Sequence, residues 1–122
     1  MPFGNAQRPL YEIKANLFKG LAHPYRIRIL EILSGASEAS VSEMLTETGL
    51  EASHLSQHLS VLRKYRLVES ERRASAVYYR LAFPEVSELL GIARSLLHEI
   101  LGDDDARSAA AAELPRLEPA SR

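Results

Sequence analysis

The chain has 122 residues, of which 46% are apolar and 25% charged, and it contains no cysteine. That is the size and composition of a single globular domain, and it argues against a disordered or collagen-like polymer. The missing cysteine excludes a disulfide scaffold, a thiolate metal site, a thiol switch and a cysteine nucleophile. No apolar run approaches the roughly 18 residues that span a bilayer, and the polar stretch before Pro9 does not read as a secretory signal, so the expected location is the cytoplasm. The formal net charge of −1 hides a sorted distribution. Residues 37–52 carry Glu38, Glu43, Glu47 and Glu51 with no basic residue. Residues 53–81 carry Arg63, Lys64, Arg66, Arg72, Arg73 and Arg80 against only Glu69 and Glu71. Local sign therefore matters more than the total.

In chain order, residues 1–8 read as a flexible arm, 9–102 as one folded unit, and 103–122 as a disordered acidic, alanine-rich tail. From Pro9, apolar residues at Leu10, Ile13, Leu17 and Leu21 give helical spacing, and His23-Pro24 ends it. A second helix over about 24–34 puts Ile27, Leu30 and Leu33 on one face, widened by Ile29 and Ile32, with Gly35 as its stop. Residues 36–40 read as a loop. A short helix over about 41–48 buries Val41, Met44 and Leu45 and ends at Gly49. A tight connection leads to Ser53, which reads as the N-cap of a helix over about 54–65. Two short helices joined by a glycine-containing turn form a helix-turn-helix pattern.

After Leu67 the period changes. The stretches 67–72 and 77–81 alternate and are rich in strand formers, so they read as a hairpin with its turn at about 73–76. The turn, Arg73-Ala74-Ser75-Ala76, has no glycine or asparagine, which argues against a two-residue primed turn. Pro84 opens a last helix running to about 101. The fold class is mostly α with a β-hairpin wing, in the order α-α-α-α-β-β-α: a winged helix-turn-helix with an additional helix at each end.

On a helical wheel at about 100° per residue, Leu55, Leu59 and Leu62 converge on the core side of the fourth helix. Ser53, Gln57, Ser60 and Lys64 converge on the opposite side, with Ser56 beside them. Small polar side chains let a helix sit deep in a DNA major groove, where Gln can pair with adenine and Ser with base edges or phosphates. Basic residues at the end of this helix and in the hairpin lie where backbone phosphates would be. The last helix carries an apolar stripe, with Leu89, Leu90, Ala93, Leu96, Leu97 and Ile100, too broad for one shallow core. With Leu10, Ile13 and Leu17 of the first helix it predicts a two-fold dimer interface, which would set two reading helices on an inverted repeat.

The stretch from Leu21 to Leu30, LAHPYRIRIL, resembles the opening motif of the ArsR/SmtB family of bacterial repressors. Ser53 to Arg63, SHLSQHLSVLR, resembles that family's recognition helix, and Leu67-Val68 with Val77 to Leu81 resembles its wing strands. The resemblance implies a homodimeric winged helix that binds double-stranded operator DNA and represses transcription. It implies base contacts at Ser53, His54, Ser56 and Gln57, and wing contacts near Arg72, Arg73 and Ser75, with Arg63 added here on charge. The family's thiolate site falls on Ser40-Val41-Ser42, whose hydroxyls are poor ligands for soft ions. Its second metal site falls on the last helix, which offers Glu85, Glu88, His98 and Glu99. His98 is the sole histidine there, too few for a zinc or nickel site. His54 and His58 lack the glutamate of a zincin helix. No cofactor is therefore expected, and a small-molecule effector or a partner protein stays open as the signal. The rival readings are a zinc- or nickel-responsive regulator using His and carboxylate ligands, and a winged-helix module that binds protein. No arrangement of residues suggests an enzyme.

Overall fold

A computed structural model describes Gly4 and residues 6–102. Residues 1–3 and 5 of the expected arm and the whole expected tail at 103–122 lie outside the described residues, and α1 begins at Arg8, one residue earlier than expected. The chain forms α1 (Arg8–Leu21), α2 (Pro24–Ser34), β1 (Ala39–Ser40), α3 (Val41–Thr48), α4 (Ala52–Lys64), β2 (Val68–Arg73), β3 (Ala76–Leu81) and α5 (Glu85–Leu101). The strands make one antiparallel sheet in the order β1-β3-β2. This is the winged helix-turn-helix expected, with β1 added. Two residues, pairing Ala39 with Tyr79 and Ser40 with Tyr78, are too few to show a period, so that strand reads as loop in the sequence.

The core is built around α2, which packs against all four other helices and β3. Ile29, Leu30 and Leu33 of α2 are buried with Met44, with Leu55, Leu59 and Leu62 of α4, and with Leu67, Val68, Tyr79, Val86 and Leu90. Ile27, grouped above with the inward face, is instead 37% exposed. Leu90, grouped above with the dimer face, lies in the core cluster at 7% exposure.

Local chemistry sets the ends of the reading unit. Ser40 caps α3 through a capping box: Glu43 N–H donates to Ser40 Oγ at 3.0 Å, and Ser40 N–H donates to Glu43 Oε1 at 3.4 Å. Gly49 closes α3 in the left-handed region at φ 70°, where a Cβ is disfavoured. After residues 49–51 the chain enters α4 earlier than expected, with Glu51 at the cap position and no side-chain cap. Ser53 is therefore a first-turn residue and not the N-cap. At the other end, Leu67 N–H donates to Leu62 carbonyl and Arg66 N–H to Arg63 carbonyl, a Schellman closure with Arg66 at φ 60°.

The wing also departs from expectation. Arg73 pairs with Ala76, leaving a two-residue turn at Ala74-Ser75. Ala74 carries φ 53° and Ser75 no positive φ, the φ pattern of a II′ turn, whose first position prefers glycine. The pairing of β2 with β3, continued on the other edge of β3 by β1, holds this register and forces alanine into the strained position.

Candidate nucleic-acid interface

The outer surface of α4 is what the sheet, α2 and α3 leave uncovered. With Leu55, Leu59 and Leu62 locked inward, the 3.6-residue period turns Ser53, His54, Ser56, Gln57, Ser60, Arg63 and Lys64 to solvent, and each is exposed. Arg72, Arg73 and Ser75 of the wing are exposed as well. The structure thus brings the candidate reading residues onto one helix face and sets the hairpin after that helix.

The basic residues are not equivalent. Arg73 is engaged within its own fold: it forms a very short contact to Glu38, pairs with Glu71 at 3.6 Å and lies 3.9 Å above the Tyr78 ring. Its guanidinium is held even more firmly protonated than usual, chiefly by the Glu38 hydrogen bond. Arg80 pairs with Glu69 at 3.1 Å. Among the described residues, Arg63, Arg66 and Arg72 make no ion pair or side-chain hydrogen bond, and Lys64 makes no ion pair and has only the Tyr65 ring at 5.7 Å. From α4 through the wing, the cations without an ion pair among the described residues are Arg63, Lys64, Arg66 and Arg72.

On the flank of α4, His58 meets the start of α2. His23 caps α2, its Nδ1 accepting from Tyr25 N–H at 3.1 Å. The cap requires the tautomer with Nδ1 unprotonated. The rings of His23 and His58 lie 4.3 Å apart, and Tyr25 is 6.1 Å from each. Burial pushes the His58 imidazole below its ordinary value, helped by His23, Arg26 and His54. Arg26 turns back to α1, donating to Gly20 carbonyl at 2.7 Å and Lys19 carbonyl at 3.2 Å. Thus α1, α2 and α4 are joined at one corner.

No group of three or more His, Asp or Glu among the described residues is placed to hold a metal ion. His98 lies in the last turn of α5. Of the predicted interface set, Leu10, Ile13, Ala93, Leu96, Leu97 and Ile100 are exposed, whereas Leu17 and Leu89 are half-buried. Ile92, at 68% exposure, belongs to the same apolar face and was not singled out above. Its spacing to Leu96 and Ile100 is helical and could have revealed it. Among the described residues, no helix is long and apolar enough to cross a membrane.

Residues 23–70 match the family model of the bacterial regulatory protein, arsR family. The chain is 49% identical over 96 residues to the HTH-type transcriptional regulator Rv0081 of Mycobacterium tuberculosis, covering 78% of this chain and 83% of that protein. It is 39% identical over 93 residues to the nodulation protein NolR of Rhizobium meliloti, covering 76% and 72%. The crystal structure of Rv0081 superposes with a TM-score of 0.71 over 76% of this chain and 93% of that one. A solution structure from Mycobacterium bovis, described as a homodimeric winged helix-turn-helix DNA-binding domain and a possible ArsR-family regulator, superposes at 0.72 with 29% identity, covering 84% and 94%.

Proposed function

Because this chain belongs to the ArsR family of bacterial helix-turn-helix transcriptional regulators, we propose that it acts as a homodimeric repressor on an inverted-repeat operator. The observation that carries this reading is the solvent-facing row Ser53, Ser56, Gln57 and Ser60 on α4, bordered by the uncommitted cations Arg63, Lys64 and Arg72. Two such helices, paired across α1 and α5, would enter successive major grooves while the free cations take the flanking phosphates. Occupancy of a promoter would block transcription. With no cysteine in the chain, the signal is something other than a thiolate-bound metal, and it would act by favouring a different relative setting of the two reading helices.

The test is fluorescence anisotropy of the full chain on DNA from upstream of its own gene, across salt, then with chelator and with added zinc or nickel. Tight binding that falls steeply as salt rises supports the reading, because phosphate contacts release counterions. Weak, salt-flat binding overturns it in favour of a protein-binding module. A shift on adding zinc or nickel would overturn the non-metal signal and make His98 the next position to mutate.

A further inference from the structure

Between the end of α1, the link from α4 to β2 and the start of α5 lies an apolar cavity of about 270 Å³. Leu17 and Leu21 wall it from α1, Val86 and Leu89 from α5, and Phe83, itself 55% exposed, lines it from the residues just before α5. An apolar cavity of about 150 Å³ holds one benzene ring, so this one has room for a ring with a short chain, or for a medium-length alkyl chain.

Two charged residues line it, and they are not alike. Glu85 sits in the first turn of α5, where the amino end of the helix offsets a negative charge. Arg66 is exposed, and its guanidinium makes no ion pair or hydrogen bond among the described residues. Arg66 also occupies a helix-closing position at φ 60°, where glycine is the residue without strain. An unpaired cation at a backbone position that disfavours it, beside an apolar cavity, is a combination that folding alone does not require.

We propose that this cavity binds a small organic anion: an apolar body of one ring or a medium chain among the leucines, with its carboxylate on the Arg66 guanidinium. The binding stands on the cavity by itself. Its consequence rests on the proposed regulator, because the walls belong to α1 and α5, the helices proposed to pair. A ligand there would alter how they meet, which would make it the class of effector.

The experiment is titration calorimetry of the full chain with phenylpropionate and octanoate, and with phenylpropanol as the uncharged counterpart. Saturable binding of the acids, roughly tenfold or more tighter than the alcohol, is expected from a charge-assisted contact. Arg66→Gly suits the local backbone, so it should keep the fold while losing that preference; circular dichroism confirms the fold. Glu85→Gln should tighten the acids. Equal binding of acid and alcohol, or unchanged acid binding in folded Arg66→Gly, overturns the anion assignment. Acids that bind only a monomeric variant such as Ile100→Asp would show a second copy covering the cavity and overturn the site. Loss of acid binding in folded Glu85→Gln would mean that the Glu85 carboxyl supports the acid instead of repelling it, and likewise overturns the assignment. Operator binding without ligand is measured separately, so the regulator and the cavity can fail independently.

Discussion

Arg72 and Arg73 are neighbours in sequence and opposites in availability. Arg73 is committed to Glu38, Glu71 and the Tyr78 ring, whereas Arg72 has no partner among the described residues. Arg72→Ala should therefore weaken specific and non-specific DNA alike and reduce the salt slope by about one phosphate contact. Arg73→Ala should leave the slope unchanged and lower the melting temperature of the wing instead; anisotropy and thermal melts separate the two. Gln57→Ala should cost about 1–3 kcal/mol of discrimination at one base pair, read by competition with single-substitution operators. His58 makes a prediction about pH. Its folded value lies below the ordinary 6.5, so the unfolded chain takes up its proton first. The contribution is intact above that value and is lost as pH falls through the depressed one. The drop in melting temperature from pH 7.5 to 5.5 should be smaller in His58→Gln than in the parent, and an equal drop would show that His58 is not the group.

At the level of elements, the ends of helices and strands carry much of the specification. Ser40→Ala removes one half of the capping box before α3 and should cost about 1 kcal/mol in denaturant titration. Ala74→Gly should raise stability by about 1 kcal/mol, because glycine takes a positive φ without the strain that alanine bears. Gly20→Ala runs against helix propensity. A Cβ at Gly20 would stand 2.8 Å from the Tyr65 ring, where α1 meets the end of α4. The change should cost about 1–3 kcal/mol by overpacking, although alanine is the better helix former.

At the scale of the molecule, the exposed apolar faces demand a partner. Leu10 and Ile13 on α1, and Ile92, Leu96 and Ile100 on α5, are each more than half exposed. Burying side chains of this kind is worth about 1.5–3 kcal/mol apiece, and a two-fold interface counts each one twice. Ile100→Asp should therefore shift the chain to monomer in light scattering and lower operator affinity by roughly a hundredfold or more, with the fold retained because Ile100 is outside the core.

Much of this was legible in the order of residues. Helical spacing, Gly49 after α3, and the leucines at 55, 59 and 62 locate the reading helix and its outer face, because period and capping are local physics. The strand Ala39–Ser40, the turn at Ala74, the pairing of Arg73 with Glu38 and the packing of His23 on His58 were not legible. Each joins residues far apart in the chain or answers to a register imposed from elsewhere. The sequence by itself determined which elements form, which face of each is apolar, and that no thiolate can serve as sensor. The tertiary structure alone decided which cations stay free, that Leu90 joins the core and not the outer apolar face, and where a cavity opens beside Arg66, because these depend on how helices meet across distances that no local pattern encodes.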